Sequence, residues 1–564
     1  MNKHLTTIIA LILSITTSFA QADWAKNVGG SSLDQGTDIC VDNMGYIYTT
    51  GFYEGSVNFD PNGSTAGTLG SAGQRDFFIA KYDNLGDLVW VKGIGGGSND
   101  HGRSIALDGL GNLYVAGDFD GLMDFDPGVG LNLKDVQGGS DIFIAKYDVQ
   151  GQFLWAKTFG GNGVETCRDM VIDGNGDLII TGVFQGTADF DPNGGVSSMT
   201  SAGSYDAFIV KLDDMGNYIW AKSIESPNSN YINQIALDYS GNINVVGYFQ
   251  GTADFDPSTG TFPLTTIGNK SIFFGKYDGQ GQLVKVQMIG GSGFEEGKGI
   301  AVDLQNNIYI SGDFRGVVDF DPSGNTTFLT SAGLRDVFVA KYNAQGNFLW
   351  ADKIGGQGED QASALTIDSD NEVFVAAYYN HTLRLSNDQV FNSKGNTDIV
   401  MTRYNPQGDI LFATSHGGAN GDATTAILAT NNKELYSIGW IQGMSYFTGI
   451  PLNSAGDRDV YIARTVMEMV SSSTSAFATP DKITIFPNPS NGVFNITGEN
   501  ISTDALTITI LDATGKVVQT QYIDELSQNY FEAYVDVSAR TTTGLYFVRL
   551  ASEDQVITKK LFIR

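Results

Sequence analysis

Only two cysteines, Cys40 and Cys167, occur in 564 residues, which excludes a disulfide-stapled scaffold. They stand far apart in the chain, and the expectation is two separate thiols, with Cys40 buried in a strand. Prolines are few, 12 against 70 glycines, and long helix-period runs are missing. That balance fits many short strands joined by tight turns. Bases are scarce too: 33 Lys and Arg against 63 Asp and Glu give a formal charge of −30. Such a field repels nucleic acid and anionic membranes, and it suits cations, basic partners or plain solubility. Beyond the first twenty residues the histidines are His101, His381 and His416, and no HExxH, CxxC, GxSxG or phosphate loop is present. Asp173–Asp177 (DGNGD) reads as a hairpin turn, because no Glu closes a twelve-residue calcium loop. Catalysis by carboxylates alone, as in glycoside or polysaccharide cleavage, stays open.

The first twenty residues read as an export signal. Lys3 and His4 form a short basic start, Leu5 to Ile15 is mostly apolar, and Ser18-Phe19-Ala20 offers small residues for cleavage. The apolar run is too short for a membrane anchor, and no later segment reaches that length. The mature chain is expected to begin at Gln21.

Repetition organises the chain from Trp24 to Arg464. Phe59, Phe125, Phe190, Phe255 and Phe320 head FDP triplets at spacings of 66, 65, 65 and 65. A second series, typified by DFFIAKYD, starts at Asp76, Asp141, Asp206, Ser271, Asp336, Asp398 and Asp459. A third runs through Trp24, Trp90, Trp155, Trp220, Lys285, Trp350 and Phe412. Each unit reads as four strands, for example 104–108, 112–119, 141–148 and 152–159. Seven four-stranded units predict an all-β fold, a seven-bladed β-propeller. The seventh unit lacks a fourth strand, and WAKNVGG (24–30) is spare at the other end. This N-terminal strand is expected to close the last blade and remove an exposed edge. The tryptophans are expected to pack between blades.

Antiparallel strands put the tight first-to-second and third-to-fourth turns on one face. The opposite face takes the FDP segment with about twenty further residues, and the Gly- and acid-rich blade-to-blade loops. Long loops on a rigid ring are where binding sites concentrate. Asp189 and Asp191, Asp124 and Asp126, Asp254 and Asp256, and Asp319 and Asp321 flank a phenylalanine, whereas the first copy has Asn58 and Asp60. Two readings are open for these nine aspartates. They cap turns by accepting backbone N–H groups, or they hold an oxygen-liganded ion such as Ca²⁺. No other cofactor is indicated.

After a linker at 467–481, short alternating strands over 482–564 predict a small Ig-like β-sandwich. FPNPSNG (486–492), LDATGK (511–516), GLYFVRL (544–550) and the terminal KKLFIR (559–564) occur there in order. This block resembles the type A C-terminal sorting domain of the type IX secretion system of Bacteroidota. Its matching residues include Pro487, Asn488, Pro489, Gly492, Gly515, Gly544, Lys559 and Lys560. The resemblance implies Sec export, passage across the outer membrane, the secretion machinery as partner, and a cell-surface or extracellular location. The pattern GG-x-G-x-D, IAVD, N-x-Y-x-x-G, D-x-F-x-A-K-Y-D-x-x-G and W, over 24–464, resembles the SBBP β-propeller repeat family. That family implies a propeller and no shared activity. The expected domains are thus a signal at 1–20, a propeller at 21–466 and the sorting domain at 482–564. The expected function is surface binding or adhesion to glycans or proteins, with a secreted carbohydrate-active enzyme as the alternative. The irregular segments 224–234 and 378–390 are where an enzyme's site would be sought.

Overall fold

The computed structural model describes residues 21–430, 433–447, 449–467, 483–499, 506–512, 517–523, 530–541, 543–551 and 556–564. The signal segment, nearly all of the linker and Gly515 of the sorting motif lie outside them. The chain divides into two compact units between Met469 and Val470. Both are built from antiparallel β-strands, and the described residues contain no α-helix.

In the first unit the repeats take one form. Thr166–Ile172, Leu178–Phe184, Asp206–Leu212 and Tyr218–Ile224 pair antiparallel in that order. The second and third strands are buried along their whole length, whereas the fourth is largely half-exposed. Continuous burial is what central strands acquire when sheets stack on both of their faces. The turns are set by local chemistry. Asp173 Oδ1 accepts from the N–H groups of Asn175 and Asp177 at 2.8 and 3.0 Å, and Gly176 takes φ +89°.

Gln21–Gly30 is the fourth strand of the last repeat. It pairs with Asp459–Val466, which pairs on its other side with Glu434–Ile441. The seven first strands, from Gln35–Val41 to Asp422–Ala429, are each in contact with the next, and the last is again beside the first.

The FDP segment contains a short hairpin that alternation did not reveal. Thr187–Asp189 pairs with Ser198–Thr200, and also with the end of the preceding repeat's fourth strand, Gly160 opposite Asp189 and Gly161 opposite Ala188. Six of the seven sheets thereby grow to six strands, each stitched by a hairpin from the next repeat. Strands of two to four residues carry too few alternations to be read from sequence.

The Gly–Gly pair before each blade-to-blade loop makes this stitch possible. A Cβ on Gly160 would stand 2.4 Å from Asp141 Oδ1, and one on Gly161 would stand 2.0 Å from Thr187 O. After the fourth strand of the third repeat, Glu225 and Ser226 replace the pair. There the hairpin Thr252–Asp254 and Pro263–Thr265 is a separate two-stranded sheet, held by a single bridge from Glu225 to Asp254 and by Ser226 Oγ, which donates to Thr252 O at 3.2 Å.

Aromatic side chains fasten neighbouring repeats. Trp90 Nε1 donates to Val149 O at 3.3 Å, and a Cβ on Gly151 would lie 2.9 Å from its ring. Trp24, Trp155, Trp220 and Trp350 rest on Gly86, Gly216, Gly281 and Gly408 in the same way. Both cysteines are free; Cys167 is buried, and Cys40 is half-buried rather than fully buried as expected.

The second unit contains a three-stranded and a four-stranded sheet. Phe494, Ile496 and Val535 of one and Ile508, Val548 and Leu561 of the other belong to a single apolar core.

Candidate functional site

The FDP aspartates are engaged with backbone amides. Asp189 Oδ1 accepts from Asp191 N at 3.1 Å and Ser197 N at 2.7 Å, while Asp191 Oδ1 accepts from Asn193 N at 2.9 Å. Asp124 and Asp126 repeat this with Asn132 N and Gly128 N. Asp254 and Asp256 do so with Phe262 N and Ser258 N, and Asp319 and Asp321 with Thr327 N and Ser323 N. In the first copy Asn58 Oδ1 accepts from Asp60 N at 3.0 Å, and Asp60 Oδ1 from Asn62 N at 2.9 Å. The phenylalanine between them is fully buried in all five copies. In four of them its carbonyl accepts from a tyrosine of the AKYD series, as in Tyr147 Oη to Phe125 O at 3.0 Å and Tyr342 Oη to Phe320 O at 2.8 Å; Leu212 stands in place of the tyrosine in the copy of Phe190. Among the described residues no three His, Cys, Asp or Glu side chains are grouped as metal ligands would be.

A second set of acids is buried beneath the blade-to-blade loops. Asp76, Asp141, Asp336, Asp398 and Asp459 open third strands, each accepting from the amide four residues earlier, as in Ala72 N to Asp76 at 2.8 Å. Beside them stand Asp100, Glu165, Asp360, Asp422 and Asp34, which accept from Gly96, Gly161, Gly356, Gly418 and Gly30. Burial first, and then the neighbouring carboxyl, push Asp34, Asp100, Glu165 and Asp360 up to about 7. One oxygen on each of Asp76, Asp100, Asp141 and Glu165 has no hydrogen-bond partner among the described residues.

The most irregular chemistry lies where the seven first strands meet. The third residue after each loop acid (or the Asn230 that replaces it) lines one cavity of about 140 Å³: Thr37, Arg103, Arg168, Asn233, Lys298, Ser363 and Thr425. The residue two positions earlier points to the same side of its strand, nearer the long loops. That position holds Gln35, His101, Thr166, Tyr231, Glu296, Gln361 and Ala423, paired across the ladder with Phe52, Asp118, Val183, Tyr248, Asp313, Tyr378 and Trp440. No two repeats share both residues of this cross-strand pair, although the framework around them repeats.

These side chains form continuous strings. Arg103 grips Asp118 with bonds of 2.8 and 3.1 Å, and His101 Nδ1 lies 3.2 Å from the same carboxylate. Burial raises the Asp118 pKa, yet Arg103 and His101 outweigh it and hold the group at about 2. The rings of Tyr231 and Tyr248 stack at 4.8 Å, with Tyr205 at 6.1 Å from Tyr231. Lys270 Nζ sits 4.0 Å over Tyr248 and bonds Glu296 at 2.5 Å. Arg335 continues the string, 3.1 Å from Asp313 and 3.7 Å from Glu359. Deeper in, Ser104 Oγ lies 3.0 Å from Asp38 Oδ2 and 3.1 Å from Asp169 Oδ1. A hydroxyl has one hydrogen, so Ser104 donates to one of these two acids at a time. Burial pushes Asp38 to about 6 and Asp169 to about 7.

Sequence reasoning missed this ring. The signal was available: aligned on the loop acid, the four columns from Gln35 to Asp38 vary among the copies before the repeated apolar framework resumes at Ile39. Of the irregular segments, 224–234 contributes Tyr231 and Asn233 to the axis. Thr382–Arg384 of 378–390 instead lies at the outer rim, beside an open groove of about 530 Å³.

In the sorting block, Asn488 joins the first motif to the last strand. Its Nδ2 donates to Lys560 O at 2.8 Å, and its Oδ1 accepts from Phe562 N at 2.9 Å. Pro487 and Pro489 are exposed beside it. Gly492 takes φ +93°, and a Cβ there would lie 2.6 Å from Ser538 Cα. Gly544 opens the strand Gly544–Ala551, paired with Val556–Ile563, which carries Lys559 and Lys560.

Comparison with known proteins agrees with these motifs. A family described as a secretion system C-terminal sorting domain matches residues 484–564, and a β-propeller repeat family, SBBP, matches 89–118. An uncharacterized WD repeat-containing protein, L264, of Acanthamoeba polyphaga mimivirus is 22% identical over 74% of this chain. The regulatory protein FlaEY of Caulobacter vibrioides is 28% identical over 23% of it. The matches span 36% and 14% of those two relatives. The BSP domain of a biofilm-associated protein aligns over 99% of both chains at 9% identity, with a TM-score of 0.12, too low to carry an argument. The chain therefore carries an SBBP β-propeller repeat and ends in a type IX secretion-system sorting domain.

Proposed function

We propose that this is an exported binding protein whose seven repeats close into a seven-bladed β-propeller, with its ligand docking at the axial mouth on the long-loop face. The sorting domain indicates delivery to the cell surface or extracellular space. The propeller would occupy 21–466, with the N-terminal strand closing the last blade, and the sorting domain would be an Ig-like sandwich over 482–564 after the linker. Closure is supported by the pairing of Gln21–Gly30 with Asp459–Val466 and by one cavity lined from all seven first strands.

One observation carries the binding reading. The framework is repeated, yet no two copies share the same cross-strand pair in the column beginning at Gln35, and these pairs gather half-buried tyrosines and charges beside the axial cavity. Packing alone gives symmetric positions no reason to diverge into Tyr, Glu, His and Trp, whereas a single asymmetric ligand does. Aromatic and paired polar groups in a concavity suit capture of a glycan or a protein segment. The FDP aspartates belong to the scaffold in this reading, as turn caps that hold each hairpin on its neighbour.

A glycan and protein binding screen with the full chain tests the proposal. Tyr231→Ala combined with Lys270→Ala should weaken any ligand found by at least about tenfold, as for a buried hot spot. Unchanged binding in that variant would move the site away from the axis.

A further inference from the structure

The donors left unused in the axial cavity point to the charge of what it receives. Three of the seven side chains at the channel position are cations, and none is an acid. Two are already spent. Arg103 is held twice by Asp118, and Lys298 lies 3.5 and 3.8 Å from Glu296 and Asp313. Arg168 differs. It is exposed to the cavity, has no salt bridge among the described residues, and rests 5.6 Å over the ring of Tyr231. The neutral neighbours are also committed, since Thr37, Asn233 and Thr425 donate to the carbonyls of Gly102, Gly297 and Gly36. Ser363 is the exception; its Oγ has no partner among the described residues.

We infer that the axial cavity takes an oxyanion group of the ligand, a carboxylate or a sulfate, and that Arg168 is its anchor. This rests on the mouth being the binding surface. A guanidinium presents five N–H donors in a planar fork, which matches two oxygens of either group at once. Arg168 has no ion pair of its own among the described residues, and a ligand oxyanion would supply a charge-assisted one. Asp38 and Asp169 line the same cavity, but their carboxyls are taken up by the backbone amides of Ile105 and Ile235 on the adjoining strands. The −30 charge of the chain makes selection by a local fork necessary, because the overall field turns anions away.

The experiment titrates the full chain with sodium sulfate, sodium glucuronate and neutral glucose at fixed ionic strength, followed by calorimetry. Saturable binding of at least one anion is expected, weakened about tenfold or more in Arg168→Gln, partly kept in Arg168→Lys, and unchanged in Arg384→Gln at the outer rim. Which anion binds identifies the oxyanion. No saturable binding of either anion overturns the inference, as does wild-type affinity in Arg168→Gln. Melting curves of both Arg168 variants confirm that they fold. A ligand from the screen that is lost in Tyr231→Ala but kept in Arg168→Gln would remove the anchor and leave the mouth standing.

Discussion

Asn230 Nδ2 donates to Asp206 Oδ1 at 2.9 Å, in the place where five other repeats oppose two buried carboxyls. The remaining repeat also breaks the pair, setting Ser271 beside Glu295. In both exceptions one acid gives way to a neutral hydrogen-bond donor, where a shared proton would lie in the other five.

These carboxyl pairs make stability depend on pH. Asp100 and Glu165 titrate near 7 in the folded chain, chiefly through burial and then through Asp76 and Asp141 beside them, against about 4 when unfolded. The folded state then binds more protons between those values, so these pairs lose stability as pH rises from about 4 through about 7. Asp100→Asn should flatten that decline, gaining on the order of 1–3 kcal/mol at pH 8 relative to pH 5. Urea melts at the two pH values measure it, and a variant that declines as steeply as wild type would contradict the shared proton.

The two readings of the FDP aspartates separate by substitution at Asp189. A turn cap needs one acceptor oxygen, and Asn58 supplies it in the first copy. Asp189→Asn should therefore cost under about 0.5 kcal/mol, and Asp189→Ala about 1–2 kcal/mol. An ion site would penalise both alike and would melt higher with Ca²⁺ than with EDTA. Identical melts in Ca²⁺ and EDTA are expected.

Gly161 tests the stitch between repeats. Gly161→Ala places a Cβ against Thr187 O, so the hairpin must shift and the ladder shorten to a single bridge, as it is beside Glu225 and Ser226. A loss of about 1–3 kcal/mol is expected, as for overpacked cores. Hydrogen exchange at Ala188 should rise, and protection equal to wild type would refute the account.

Removal of Gln21–Gly30 exposes the edge of Asp459–Val466 and takes Trp24 from the turn around Gly86. The first unit should lose cooperative melting or melt many degrees lower, as expected when an unpaired edge replaces a seven-residue ladder. Melting at the original temperature would mean that closure does not need this strand.

Much of the scaffold was legible because it is written repeatedly. Trp at a fixed place, the AKYD series and Asp-x-x-Gly turns each recur at one spacing, and each depends on contacts within a repeat or with the next. The short hairpins were not legible, since Thr187–Asp189 has three residues and finds its partner on Gly160 and Gly161, outside its own repeat.

By itself the sequence determined the all-β repeat, the spare N-terminal strand and the sorting motif, because local propensity and periodicity set them. Only the tertiary structure decided which residues share a site. Arg168, Tyr231, Lys298 and Ser363 come from four different repeats and are brought together because the first strands of successive repeats pack side by side. It also decided what the FDP carboxylates touch, since the amides of Asn132, Ser197, Phe262 and Thr327 reach them only once each hairpin has folded back.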